Sequence, residues 1–427
     1  MTEAADRRTE RLRSETRRAV VEGRVQDLAV AVSGGSDSLA LLDLMHGHAR
    51  EGDFQLSAVT VDHGLRPEAA AEARHVAAYC STRGIPHQTL RWSDWDGTGN
   101  LQAEAREARY RLIAKWARDR GIGAVALGHT ENDVAETFLL RLARGAGIDG
   151  LARMQDRFER NGVIWLRPLL GQTRDACRTY LEERGVTWIE DPSNDDPRFD
   201  RVKVRQTLAA LEPLGIDGPG LARTANHISK ARHALEHYAA QEARRLTKFE
   251  GGDLLVTRNP VPAVPQEIER RLVVAGIRFV SGAIYPPRSE ALNEMFVALN
   301  AYGKGTHTLG GCCVTLLRPE GHLNQTLRIT REWNAVKTLR TPTTEVWDRW
   351  RLEGPHSPAL EVRALGHALA ECPDWRAQSV PRVSLLASPA VFKGSTLVSA
   401  PLAGLKNGWI AQLASGRDDF ALFLMDH

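Results

Sequence analysis

Ala29-Val30-Ala31-Val32-Ser33-Gly34-Gly35-Ser36-Asp37-Ser38, running on into Leu39-Ala40-Leu41-Leu42-Asp43-Leu44, decides how the first half of the chain is read. An apolar run with β-branched residues breaks at two glycines and turns into good helix formers, the pattern of strand, tight turn and helix. Such a turn is an anion site. Glycine tolerates positive φ and close backbone approach, and the free N–H groups and dipole of the helix N-terminus favour a pyrophosphate. Ser33, Ser36 and Ser38 add hydroxyls, and Asp37 is the candidate ligand for a magnesium ion held against the phosphates. Capping of the helix by Ser36 and Asp37 is the competing explanation. The stretch lacks the Lys-Ser/Thr ending of a Walker A loop and the Gly-x-Gly-x-x-Gly spacing of dinucleotide folds, so neither of those sites is expected.

Strand and helix alternate outward from this turn. A second strand is expected over Phe54–Val61, ending in Asp62-His63-Gly64, and a third over His87–Trp92. A helix follows over Leu101–Arg120, then a fourth strand over Ala124–Leu127 that runs into Gly128-His129-Thr130. Trp165–Leu170 reads as a last strand before a helix over Thr173–Arg184. This alternation predicts an α/β fold with a doubly wound parallel sheet, whose ligands bind beyond the carboxyl ends of the strands. Ser33, Asp62 and His129 all stand at such ends. If the helix begins at His129, then His129, Asp133 and Glu136 share one face at its N-terminal end. Complementing the helix dipole is the alternative duty of those two carboxylates.

At 427 residues the chain is too long for one ordinary core. The composition, 42% hydrophobic and 26% charged, is that of a globular protein in water, and the net charge of +3 permits a nucleic-acid partner without demanding one. Cys80, Cys177, Cys312, Cys313 and Cys372 lack Cys-x-x-Cys spacing, which argues against a zinc ribbon or redox pair and suits a reducing cytoplasm. No apolar stretch is long enough to span a membrane. Pro213, Gly215, Gly218, Pro219 and Gly220 suggest a linker that closes a first domain at 1–215. A mostly helical middle domain is expected over 216–332, beginning with a long helix from Leu221 whose arginines and lysines outnumber its glutamates. The remaining 333–427 reads as a small, mostly β domain.

The stretch Ser33–Ser38, Ser-Gly-Gly-x-Asp-Ser, resembles the PP-loop of the ATP pyrophosphatases, which split ATP into AMP and pyrophosphate and leave the AMP on a substrate oxygen. Val61-Asp62-His63-Gly64-Leu65-Arg66, Arg106-Glu107-Ala108-Arg109-Tyr110, His129 through Thr137 and Asp191-Pro192-Ser193-Asn194 add to it in order and spacing. Together they resemble the tRNA(Ile)-lysidine synthase family over roughly the first 205 residues. Leu309-Gly310-Gly311 and the segment from Ser388 to Gly404 are similar to its C-terminal region. The resemblance implies a cytoplasmic ligase that uses ATP and Mg2+ to join free L-lysine to carbon 2 of the wobble cytidine in a CAU-anticodon tRNA(Ile). The two later domains would contact the tRNA. Oligomeric state stays open, a homodimer being one option.

Within that chemistry, adenylation of the cytosine carbonyl oxygen turns loss of oxide into loss of AMP. Ser33, Gly34, Gly35, Ser36, Asp37, Ser38 and Asp62 are the candidate nucleotide-binding residues. Asp37, Asp133, Glu136 and His129 are the candidate catalytic ones. The lysine ε-amine, with an ordinary pKa of about 10.4, must lose a proton before it attacks, and Asp133, Glu136 or His129 is expected to take it or to fix the α-ammonium. Arg109, Tyr110 and Arg205 are candidates for holding phosphate or the lysine carboxylate. The family pattern His-x-x-Asp-Asp-Gln-x-Glu-Thr is altered here: Asn132 stands for its first Asp and Val134 for its Gln. Two other readings remain at this stage. One is another PP-loop tRNA base-modifying enzyme, of which the thiolating ones would need catalytic or cluster-binding cysteines; the other is a catalytically silent tRNA-binding protein, which would have no use for an intact loop.

Overall fold

The computed structural model describes residues 3–21, 25–64, 68–95, 97–190, 200–258, 264–302, 305–318, 325–414 and 419–426. Leu65, Arg66 and the Asp191–Asn194 motif lie outside the described residues.

Helix α1 (Glu3–Val21) leads to β1 (Asp27–Ala31), where Leu28, Ala29 and Val30 are all buried. A strand covered on both faces reads as a continuous apolar run, which explains the sequence there. α2 (Ser36–Arg50), β2 (Gln55–Asp62), α3 (Ala69–Thr82), β3 (His87–Arg91), α4 (Leu101–Asp119) and β4 (Ala124–Leu127) follow in strict alternation. Then come α5 (Glu131–Ala143), α6 (Ile148–Leu151), β5 (Arg157–Arg160), β6 (Val163–Leu166), α7 (Arg174–Glu183), α8 (Asp200–Leu211) and α9 (Gly218–Leu246). The six strands form one sheet in the order β3-β2-β1-β4-β6-β5. β1 pairs in parallel with β2, Val30 opposite Ala58, and with β4, Val30 opposite Ala126. The chain winds outward from β1 to β3 and then returns to β4 on the other side of β1, so the switch point lies between β1 and β4.

Two features depart from the expected sheet. The last strand stops at Leu166, two residues before Pro168, which has no N–H to give to a ladder; the Arg167 N–H still donates to Asp156 O at 2.8 Å. β5 is an added antiparallel edge strand, hairpinned to β6 through Asn161 (φ 55°) and Gly162 (φ 70°), an Asn-Gly pair suited to such turns.

Alternate residues of the central strands face opposite layers. Val30, Ala58 and Ala126 pack with Leu39, Leu42, Met45, Val76, Cys177 and Leu181 from α2, α3 and α7. Ala29, Val59 and Val125 pack with Tyr110, Ile113 and Ala117 of α4. One polar group pins the first layer: the buried Asp43 carboxylate of α2 accepts hydrogen bonds from Tyr79 Oη of α3 (2.7 Å) and Tyr180 Oη of α7 (2.8 Å).

The chain divides into two compact units, Met1–Arg232 and His233–His427, with the boundary inside α9. The second unit begins with the end of α9, β7 (Thr247–Glu250), β8 (Asp253–Arg258), α10 (Gln266–Ser281), α11 (Ser289–Tyr302), β9 (Thr306–Leu309), β10 (Cys312–Leu317) and β11 (Gln325–Arg331). Its strands make an antiparallel sheet ordered β7-β8-β11-β10-β9 around a core of Leu254, Leu272, Phe279, Val314 and Ile329. Besides the expected helices, residues 247–331 therefore supply five strands. α12 (Trp333–Val336), β12 (Arg340–Pro342), β13 (Trp350–Glu353), β14 (Glu361–Ala364), α13 (Arg382–Leu386), β15 (Pro389–Lys393), β16 (Thr396–Ser399), β17 (Ile410–Leu413) and α14 (Phe420–Asp426) complete the chain. The short strands form the sheet β12-β14-β15-β16 and the pair β13-β17, close to Trp347, Trp350 and Trp409. Among the described residues no helix is long and apolar enough to cross a membrane.

Candidate active site

The loop between β1 and α2 is shaped by its own side chains and by a neighbouring segment. Gly34 has φ +93°, and a Cβ there would lie 2.7 Å from Ile189 Cδ1; the Ile189 N–H donates to Gly34 O at 2.9 Å. Ser38 Oγ accepts from the Ser33 N–H (3.1 Å) and donates to Gly35 O (3.0 Å), while Ser33 Oγ lies 3.2 Å from it. Serines 33 and 38 thus brace the turn. Gly35 is the N-cap of α2 and no side chain caps that helix, which leaves its first-turn N–H groups for an anion. From the other side of the switch point, Gly128 at the end of β4 presses against the same turn. A Cβ there would sit 2.9 Å from Ser38 Cα and 3.0 Å from the Asp37 carbonyl.

A cavity of about 1390 Å³ opens over these strand ends, more than one small ligand usually occupies. Ser33, Gly35, Ser36, Asp37, Ser38, Arg109, His129, Asp133 and Arg205 line it.

Three carboxylates converge on one guanidinium there. Arg174 Nε donates to Asp37 Oδ2 at 3.0 Å, and its terminal nitrogens lie 3.9 Å from Asp133 Oδ1 and 3.6 Å from Glu136 Oε1. Arg201 reaches Asp133 Oδ1 at 3.4 Å, and Arg205 Nε donates to Glu136 Oε1 at 2.7 Å. The two oxygens of Asp133 have different surroundings. Its Oδ2 accepts from the Thr130 N–H (2.9 Å) and hydroxyl (3.1 Å), capping α5, while Oδ1 faces the arginines. Burial alone would raise the Asp133 pKa, but His129, the Thr130 amide and the two arginines bring it below its ordinary value. Asp37 goes the other way: burial raises it, and Arg174 only partly opposes the shift. Glu136 is fully buried behind the cavity wall, and its Oε2 has no hydrogen-bond donor among the described residues.

His129 is not on α5, which begins at Glu131; the strand end delivers it. Arg167 Nε donates to His129 Nδ1 at 3.2 Å, so the proton of the neutral ring sits on Nε2. Burial, with the nearby arginines, lowers its pKa well below the usual histidine value. Asp62 does not line the cavity: its Oδ1 accepts from the Gly64 N–H at 2.9 Å and shapes the turn after β2. Tyr110 also stands outside it, in the core with its ring 4.7 Å from that of Trp165, while Arg109 on the next position of α4 does line the cavity. Arg205 is engaged by Glu136.

The two altered positions have local explanations. Asn132 Oδ1 accepts from the Arg174 N–H at 2.8 Å, a role an amide oxygen fills as well as a carboxylate does. Val134 is buried with Phe138, Leu170, Ala222 and Ala225, where an apolar side chain fits.

Sequence reasoning passed over Arg174 and Gly128. Arg174 is the first residue of α7, a place where a cation opposes the helix dipole; that mismatch was the available signal. Gly128 offered none, because its need for a missing Cβ arises only from the approach of α2.

A model of the PP-loop domain matches residues 7–212. The chain is 48% identical to the tRNA(Ile)-lysidine synthase of Ruegeria pomeroyi over 94% of its own length and 94% of that protein. It is 42% identical to the tRNA(Ile)-lysidine synthase of Zymomonas mobilis, over 60% of this chain and 76% of that one. Identity to the enzyme of the same name from Wolbachia pipientis is 34%, covering 75% of each chain.

Proposed function

Because the chain belongs to the tRNA(Ile)-lysidine synthase family, we propose that it joins L-lysine to carbon 2 of the wobble cytidine in a CAU-anticodon tRNA(Ile), consuming ATP. The observation that carries this reading is the meeting of Asp37, Asp133 and Glu136 on Arg174, beside an uncapped helix N-terminus at the β1/β4 switch point.

The chemistry runs in two displacements. The cytidine O2 attacks the α-phosphorus of ATP, the bond to the β-phosphate oxygen breaks, and pyrophosphate leaves. The Ser33–Ser38 turn and the open end of α2 receive that charge. The lysine ε-nitrogen then attacks C2, the C2–O bond breaks, and AMP departs with the former O2 while the nitrogen loses a proton. His129 has its proton on Nε2 and a strongly disfavoured cation, which makes it a hydrogen-bond donor and a poor base. Asp133 Oδ1 and Glu136 are the better acceptors for the lysine protons, once an ammonium takes over the places held by Arg201 and Arg205. Asp37 and Asp133 would hold the magnesium: both are oxygen donors, and their shared contact with the Arg174 guanidinium within 4 Å shows that the pair accommodates positive charge. Bound there with ATP, the ion would neutralise phosphate charge.

The cysteines speak against thiolation. Cys80, Cys177, Cys312 and Cys372 are buried, and burial pushes the Cys80 and Cys312 thiols up to about 11 and about 12. Residues 1–215 are proposed as the catalytic domain, with 216–332 and 333–427 contacting the tRNA in the cytoplasm, as a monomer or a homodimer.

The test is incorporation of radiolabelled lysine into tRNA(Ile) with ATP and magnesium, with methionine tRNA as control. Label on the isoleucine tRNA alone is expected, and Asp37→Asn or Asp133→Asn should lower the rate about a hundredfold or more. Tight tRNA binding without label would refute the reading.

A further inference from the structure

The cavity's positive charge is not evenly matched. Arg174, Arg201 and Arg205 are balanced by Asp37, Asp133 and Glu136, and Arg178 pairs with Glu190 at 3.0 Å. The opposite layer of the sheet contributes two more cavity-lining arginines, Arg106 and Arg109, one turn apart on α4. Among the described residues neither has a carboxylate partner; Arg106 lies over the Tyr110 ring at 5.6 Å, and Arg109 is half-buried without an ion pair. Their neighbours on this wall add no negative charge. His63 has a buried Nδ1 with no hydrogen-bond partner among the described residues, and the Arg109 charge bears on both His63 and His129. The cavity's remaining acidic residues, Glu72 and Asp175, form no ion pair with either arginine among the described residues, and two guanidiniums that line a cavity without a paired carboxylate make a receptor for an anion.

Charge decides which one. A carboxylate or a phosphodiester would cancel one of the two positive charges, whereas a phosphate monoester at neutral pH carries nearly two. Pyrophosphate, the other highly charged product, is received at the Ser33–Ser38 turn and the open end of α2, which leaves one group of this charge in the proposed reaction. The α-phosphate is a singly charged diester while it links adenosine to the cytidine oxygen, and it gains a second charge when the C2–O bond breaks and AMP leaves. We propose that Arg106 and Arg109 form the subsite for this phosphate and stabilise the charge that develops on departing AMP. The inference rests on the ligase reading for the identity of the leaving group, but its first readout, AMP against adenosine, needs neither tRNA nor lysine.

Binding of AMP and of adenosine is compared by calorimetry for the full chain and for Arg106→Gln, Arg109→Gln and the double variant. The unmodified protein should prefer AMP, and each substitution should weaken AMP by about tenfold to a hundredfold while leaving adenosine unchanged. Arg109→Lys keeps the charge without the fork and should fall between; a matching thermal midpoint shows that the variants remain folded. An unaltered preference for AMP in the folded double variant overturns the proposal. If instead the lysine KM alone rises, the subsite takes the amino-acid carboxylate; if tRNA affinity alone falls, it takes an RNA phosphodiester. Either result also overturns it. Failure of the ligase reading would be seen separately, as absence of lysine incorporation by the unmodified protein.

Discussion

Replacing Arg174 by glutamine removes the one cation shared by three carboxylates, and the cost follows from the distances. At 3.0, 3.6 and 3.9 Å from Asp37, Glu136 and Asp133, the guanidinium gains gross attractions of about 4–6 kcal/mol each at an effective dielectric constant near 20. Much of that is offset by desolvation, since the Arg174 side chain is only 20% exposed and the carboxylates less so. Arg201 and Arg205 remain to compensate Asp133 and Glu136, while Asp37 is left without a cation among the described residues. Breaking a buried pair of this kind costs about 3–5 kcal/mol, which lowers the unfolding midpoint of a domain of this size by roughly 6–20 °C.

The deficit should depend on pH. Without Arg174 the folded-state pKa values of the carboxylates rise, so the folded variant binds more protons than the unfolded chain and is destabilised progressively as pH increases through those values. Asp37 already stands above its ordinary value with Arg174 present, chiefly through burial. Thermal unfolding followed by circular dichroism should therefore show a large loss near pH 7.5 that shrinks towards about pH 5. A midpoint within about 2 °C of the unmodified protein at neutral pH, or a deficit independent of pH, would refute the charge-compensation argument.

Gly128→Ala forces a methyl against the backbone of Asp37 and Ser38, and ATP affinity should fall at least about tenfold, whereas Gly123→Ala, with open space around its Cβ, should behave as the unmodified protein in the same titration. Val134→Gln places an amide among Phe138, Leu170 and Ala225 and should cost about 1–3 kcal/mol in urea unfolding; Asn132→Asp keeps the acceptor for the Arg174 N–H and should change stability by less than about 1 kcal/mol. His129 has a folded-state pKa far below its unfolded value of about 6.5, so the unfolded chain binds the extra proton and stability should decline as pH drops below that value. His129→Gln should flatten that part of the stability curve; an unchanged slope would show that His129 protonates freely in the folded chain.

The residues themselves determined the order of elements in the first half and the nature of its first turn. Alternating apolar strands and helices leave few topologies open, and Ser-Gly-Gly-x-Asp-Ser between a strand and a helix makes an anion site by local geometry alone. For that reason β1, β2 and β4 and the helices between them were legible; of the three residues read at strand ends, Ser33 and His129 line the cavity and Asp62 does not. The Asn161-Gly162 hairpin was also local and was passed over, its two strands being short and one of them exposed at the edge.

What remained was decided by tertiary structure, because it depends on separations in sequence that no local pattern encodes. Arg174 lies 137 residues from Asp37, and Arg205 lies 69 from Glu136. A charged residue near a helix end reads as solvated surface until the fold brings a buried carboxylate to it. Tyr110 and Arg109 are adjacent in sequence yet face different surroundings, one the core against Trp165 and the other the cavity, because neighbouring positions on a helix point about 100° apart. The same holds for Gly128, whose missing side chain has meaning only against the backbone of Ser38. Sequence alone supplied the chemical types and their places along the strands; which charges meet, and which two guanidiniums have no carboxylate partner among the described residues, followed from packing.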